Sequence, residues 1–174
     1  LKAIPSARYS MIYPPVKDED EQELGDAIHT EQAIDFIKRH AGDEKPFFLM
    51  VSWMFPHPHY TAQEKYYHMY DPDKVPMRRD LSWFKQNKHQ MYEVLRKYRE
   101  MDDKDMDLFR KMNAIYLGMI SYIDELVGRI IRTLKDEGIY EETTIILCSD
   151  HGDFAGDGGQ TEKWPSDMTD MITR

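Results

Sequence analysis

The sequence predicts an α/β domain with a parallel sheet, and three observations predict it. Two short apolar runs, Phe47–Trp53 and Thr143–Cys148, read as strands buried on both faces, as in a parallel sheet. A helical period precedes the first run, and a much longer one lies between the two. The order helix, strand, long helical stretch, strand belongs to layered folds in which helices cover a sheet.

The elements follow in order. Leu1 to Pro15 is mixed and interrupted by Pro5, Pro14 and Pro15. Lys17 to Glu23 is a charge run that reads as a solvated loop. From about Asp26 to His40, Ala27, Ile28, Ala33, Ile34 and Ile37 recur at helical spacing, and Gly42-Asp43 end the helix. Lys45-Pro46 leads into the first strand, which Pro56 and Pro58 break into a loop. Thr61 is placed to cap a short helix running to about Tyr70. Asp71 to Asp80 reads as irregular, and Leu81 to Arg99 as a partly helical, exposed stretch.

The clearest element runs from about Asp105 to Glu137. Leu108, Met112, Ile115, Tyr116, Met119, Ile123, Leu126, Val127, Ile130 and Leu134 form an apolar stripe opposite a polar face. Gly138 stops this helix. The second strand follows, and then a glycine-rich loop from Gly152 to Gly159.

Composition bounds what such a domain can do. The 174 residues fit one domain, and 41% hydrophobic with 12% aromatic residues are enough for a core. A net charge of −9 argues against a nucleic-acid or anionic-membrane surface, both of which favour basic patches. No apolar run reaches the length of a membrane span. The single cysteine, Cys148, excludes an internal disulfide and reads as a buried core thiol within its strand.

Sites in open α/β sheets gather beyond the carboxyl ends of the strands. Here both strands end in polar clusters, Phe55-Pro56-His57-Pro58-His59-Tyr60 and Ser149-Asp150-His151-Gly152-Asp153. Parallel strands would bring them to one edge. Asp150 and His151 could face one metal if Gly152 lets the chain turn; alone, they would equally suit a solvated Asp beside a hydrogen-bonded His. His57 and His59 flank Pro58 and suit a metal, an oxyanion or a polar surface. Lys163, after the glycine-rich loop, could meet an anion as a point charge or simply face solvent. Tyr66-Tyr67-His68-Met69-Tyr70 reads as packing or a pocket rim.

Three stretches in order resemble the sulfatase family, the arylsulfatase and phosphonate monoester hydrolase branch of the alkaline phosphatase superfamily. They are Lys45-Pro46-Phe47-Phe48-Leu49 with Pro56-His57-Pro58, then Tyr116 through Gly128 with its Met119-Ile120-Ser121-Tyr122-Ile123-Asp124 core, then Thr144 through Asp153 followed by Gly156-Asp157 and Lys163. The match spans residues 26–163, with 1–25 irregular and 164–174 the start of a truncated end. The resemblance implies part of an alkaline-phosphatase-like, doubly wound, mostly parallel sheet with flanking helices. It implies that Asp150 and His151 ligate a divalent metal, calcium in most such enzymes, with manganese or zinc left open by the imidazole. His57 matches the histidine that contacts the ester and serves its leaving oxygen. Lys163 matches the lysine that binds a sulfate oxygen. The substrate class implied is an aryl or carbohydrate sulfate ester. Export of many bacterial members implies a periplasmic or secreted parent enzyme.

The sequence also departs from the family's pattern. The formylglycine nucleophile arises from a C-x-P-S-R-type motif, and Ala3-Ile4-Pro5-Ser6-Ala7-Arg8 is only a near miss. The paired N-terminal aspartates of the metal site are absent. Gly156-Asp157-Gly158-Gly159 stands where the family often has GDHG. The expectation is therefore a single fragment from the middle of a larger sulfatase domain, without turnover alone and with the formylglycine upstream. Truncated apolar faces would favour self-association. Two other functions stay open: a phosphonate monoester or phosphodiester hydrolase of the same superfamily, and a non-catalytic module that binds metal or a partner.

Overall fold

The computed structural model describes residues 12–76, 106–156 and 160–163, together with positions 90, 94 and 97. Along them run a 3-10 helix Asp18–Glu23, α1 (Gly25–His40), α2 (Glu64–Tyr67), α3 (Met106–Asp136) and a second 3-10 helix, Tyr140–Glu142. The near-miss motif at 3–8, Gly158-Gly159 and the truncated end 164–174 lie outside the described residues. Of the exposed helix expected over 81–99, only Gln90, Val94 and Lys97 are described, and they are helical and exposed.

α1 forms where its period begins. Ala27, Ala33, Ile34 and Ile37 are buried, whereas Ile28 of the same stripe is nearly half exposed. Asp26 lies in the first turn and Lys38, Arg39 and His40 in the last, so both ends complement the helix dipole. α3 is 31 residues long, roughly 46 Å at the α-helical rise. Met112, Ile115, Tyr116, Met119, Leu126 and Leu134 of its stripe are buried, and so are Phe109 and Tyr122 beside it. Gly138 closes α3 at φ +76°, with its N–H on Lys135 O and that of Ile139 on Leu134 O, a Schellman turn.

Residues 46–54 and 143–149 form neither helix nor ladder among the described residues. Phe48 is 90% exposed and Ile146 82%, so burial on both faces is not observed, and Cys148 is exposed rather than a core thiol. The reason is pairing. An interior strand needs N–H and C=O partners on both edges and layers on both faces, and no described segment supplies them. The first run still follows α1 antiparallel, as a strand after its helix does. Phe47 meets Phe36 edge to face, Ser52 O meets His29, and the Trp53 indole N–H donates to Thr30 Oγ1 at 3.0 Å.

The β pairing that is present lies elsewhere. Ile12 bridges Tyr60 and Val16 bridges Gln63, both in parallel register, with Tyr13 N donating to Tyr60 O and Glu64 N to Val16 O. Thr61 donates to Pro14 O instead of capping a helix, and α2 starts at Glu64. The expected helix starts later because residues 60–63 are taken up by this pairing, and it ends at Tyr67, short of the expected Tyr70.

The core joins Ile12, Val16, Leu24, Tyr60, Tyr66 and Tyr67 to the buried face of α3. Both expected readings of the tyrosine run hold: Tyr66 and Tyr67 pack in the core, while Tyr67, His68 and Tyr70 line a cavity and Met69 is half exposed. Gly118 lets α2 approach α3: a Cβ there would stand 2.2 Å from Tyr66 O. Around this contact, Glu21 accepts from Tyr122 and Arg129, and Glu125 accepts from Tyr66, Lys65 and Arg129. The charge run 17–23 is therefore a 3-10 helix anchored by Glu21, while residues 17–20 remain exposed as expected.

Candidate functional site

The first loop is set by Asp26. This residue is 3% exposed, and its carboxylate accepts Met54 N–H on Oδ1 and Phe55 N–H on Oδ2, both at 2.8 Å. A carboxylate has no proton to offer, so two adjacent N–H groups suit it. The chain then turns with His57 N on Met54 O, and His57 Nδ1 lies 2.8 Å from Pro58 O. His59 goes elsewhere, its ring against Tyr13 at 4.5 Å between centroids.

The second loop curls back on itself. Ser149 Oγ donates to His151 O, His151 N to Asp150 Oδ1, and His151 Nδ1 lies 2.8 Å from Gly152 O. Beyond Asp153 the chain returns, with Phe154 N on Glu162 O and Gly156 N on Gln160 O. Gly156 takes φ +89° there, and a Cβ would come 2.7 Å from Phe109 O, so both conformation and space call for glycine. The return brings Lys163 Nζ to 3.0 Å from His151 Nε2.

The two loops meet. The rings of His57 and His151 stand 6.1 Å apart, nearly perpendicular. His57, Asp150, His151 and Lys163 thus form one constellation, and His59 stays outside it. A carbonyl only accepts, so each Nδ1 facing one carries a proton. Lys163 Nζ donates to the Nε2 lone pair of His151.

Asp150 Oδ2 and His151 Nε2 are 3.7 Å apart. Two ligands of one cation, at about 2.0–2.5 Å each, lie roughly 3–4 Å from each other. A carboxylate and a neutral imidazole at this spacing fit such an ion as two of its ligands. Among the described residues no group of three or more His, Cys, Asp or Glu side chains could enclose one.

Behind the constellation, Tyr60 OH donates to Asp153 Oδ1 at 2.8 Å, and Ala155 N donates to the same oxygen at 2.6 Å. Burial pushes the Asp153 carboxyl up; the bonds from Ala155 N and Tyr60 act against it. Burial, followed by the neighbouring Asp153, holds the Tyr60 phenol well above its ordinary range.

Asp26, Tyr60 and Asp153 are the contributors that pattern reading left without a role. Asp26 stands where the helical period begins, and nothing local points from it to a loop 28 residues away. Tyr60 and Asp153 both stand in the polar clusters, but 93 residues separate them, and no local spacing pairs them.

The sulfatase family model matches residues 5–171. The choline-sulfatase of Rhizobium meliloti (strain 1021) is 33% identical over 128 residues, covering 71% of this chain and 25% of that protein. The multifunctional alkaline phosphatase superfamily protein PehA of Trinickia caryophylli is 30% identical over 144 residues, 74% of this chain and 27% of its own length. The phosphonate monoester hydrolase SpPMH from Silicibacter pomeroyi superimposes with a TM-score of 0.75 at 24% identity, over 98% of this chain and 37% of that one, a likeness of fold. The chain spans about a quarter of the length of these two curated relatives.

Proposed function

The chain belongs to the sulfatase family, and on that premise we propose that it carries part of the active site of a metal-dependent sulfuric ester hydrolase. The observation that supports this most is the meeting of His57, His151 and Lys163, drawn from positions up to 106 residues apart (163 − 57), beside the exposed carboxylate of Asp150.

In this reading Asp150 and His151 hold a divalent cation, most simply calcium, with manganese or zinc as alternatives that favour the imidazole. Such an ion supplies Lewis-acid polarisation of the ester oxygens when bound. Lys163 turns its ammonium from His151 to a non-bridging oxygen of the ester and offsets charge developing there. His57, with its Nδ1 proton held by Pro58 O, meets the substrate through Nε2. A protonated Nε2 would give its proton to the leaving oxygen. The nucleophile is a formylglycine from the rest of the protein. The runs 47–53 and 143–148, with exposed Phe48, Met50, Ile145, Ile146 and Leu147, take places in a doubly wound, mostly parallel sheet completed by that remainder, and self-association is the way this chain alone would cover them.

Hydrolysis of phosphonate monoesters or phosphodiesters is the second reading. It is favoured by the 30% identity to a relative whose name declares it multifunctional within the superfamily. Both readings are tested on the full-length protein, stripped of metal and then reloaded, with matched p-nitrophenyl sulfate and phenyl phosphonate esters. The sulfatase reading expects metal-restored turnover that favours the sulfate. A preference for the phosphonate would select the second reading, and turnover of neither by the reloaded protein would leave a non-catalytic module.

A further inference from the structure

We propose that Tyr60 is a positioning residue whose hydroxyl sets the spacing of His57, His151 and Lys163, a role that rests on the hydrolase reading above. Tyr60 is fully buried. Its hydroxyl donates to Asp153 Oδ1 at 2.8 Å and accepts from Glu162 N at 3.4 Å. Tyr60 lies three residues beyond His57, Asp153 two beyond His151, and Glu162 immediately precedes Lys163. One oxygen therefore ties together the three segments that bear the candidate site.

The remainder of Tyr60 is fixed as well. Its carbonyl accepts from Tyr13 N at 3.0 Å, and its ring stands edge-on to Tyr116 of α3. The phenol stays protonated, because burial and the adjacent carboxylate both oppose its ionisation. It is thus a constant donor to Asp153. Packing alone would be served as well by a phenylalanine; what the hydroxyl adds is direction. A site that must hold a tetrahedral anion between loops 93 residues apart needs that direction, since displacement by about 1 Å can cost about 100-fold in rate.

Asp153 gives the test its internal control. Ala155 N and Tyr60 OH both bond to Oδ1. Asparagine can place its own oxygen there and keep both bonds, whereas alanine keeps neither. The experiment compares Tyr60→Phe, Asp153→Asn and Asp153→Ala in the full-length protein, by steady-state kinetics on p-nitrophenyl sulfate, by melting temperature, and by ¹⁵N-histidine spectra of the imidazoles. Tyr60→Phe should melt within a few degrees of the parent, hold KM within about threefold and lower kcat about 10–100-fold. Asp153→Ala should behave likewise, and Asp153→Asn should retain most of kcat. The imidazole signals of both His57 and His151 should move in Tyr60→Phe and Asp153→Ala and stay put in Asp153→Asn. An unchanged kcat in Tyr60→Phe, or a lower melting temperature with unmoved imidazole signals, overturns the proposal. A parent protein that hydrolyses neither ester defeats the hydrolase reading instead, and the imidazole spectra still decide whether Tyr60 sets the geometry.

Discussion

The carboxylate of Asp26 holds the backbone N–H of Phe55 on Oδ2 at 2.8 Å, while its other oxygen holds that of Met54. The first turn of α1 thereby fixes the point where the 47–53 run ends and the His57 loop begins. Asp26→Asn keeps one acceptor and turns an NH2 toward the second N–H. A buried N–H left without a partner costs about 1–3 kcal/mol, and the variant should be destabilised by that amount in urea unfolding. Asp26→Ala should cost at least as much. Stability equal to the parent would mean that solvent serves these two N–H groups as well as the carboxylate does.

Gly118 makes the close approach of α2 to α3. Alanine raises helix propensity by about 1 kcal/mol, yet its Cβ would stand 2.2 Å from the Tyr66 carbonyl oxygen. Backbone cannot yield as a flexible side chain does, so the clash wins. Gly118→Ala should be destabilised by about 1–3 kcal/mol, and Tyr66 should lose its bond to Glu125. Thermal unfolding measures the first effect, and tyrosine fluorescence near α2 reports the second.

Glu125 sets a pH dependence. Its carboxyl is held below the ordinary range first by the Tyr66 hydroxyl, against some burial, and then by Arg129 and Lys65. Arg129 is shared with Glu21 and Glu31. A carboxyl lowered in the folded state stabilises above its unfolded pKa of about 4.3 and loses that contribution as pH falls through the folded value. The parent should therefore exceed Glu125→Gln in stability at neutral pH, and the gap should close below about pH 4. Urea midpoints of both proteins between pH 3 and 7 check this. A gap that persists in acid would assign the effect to packing.

Lys163 and Asp150 are separable by what they bind. In the full-length protein Lys163→Met should lower kcat/KM for an aryl sulfate about 100–1,000-fold by removing a charge from the developing anion. It should leave metal affinity intact, because the variant no longer competes for the His151 Nε2 lone pair. Asp150→Asn should instead weaken metal binding in calorimetry by about 10-fold or more. If Lys163→Met were the variant that weakened the metal, the two roles would be reversed.

What local pattern encodes was legible. The 3.6-residue period marks α1, and the C-terminal end of α3, to within a residue or so, because burying one face of a helix dictates spacing along the chain. Gly138 as the stop of α3 follows from the conformation its Schellman turn requires. The clusters around His57 and His151 stood out because apolar runs that end in polar residues mark loop positions, and the chain does bring those two rings together. Only the tertiary structure decided the rest. It paired residues 12–16 with 60–63, set His59 against Tyr13 and joined Tyr60 to Asp153. It also left Cys148 and the 143–148 run exposed, and covered the 47–53 run on one face only, that of α1, among the described residues. Periodicity records which face of a segment is apolar, but not which distant segment meets it. A hydrogen bond across 93 residues depends on how the whole chain closes, and neither partner's neighbours in sequence carry a trace of it.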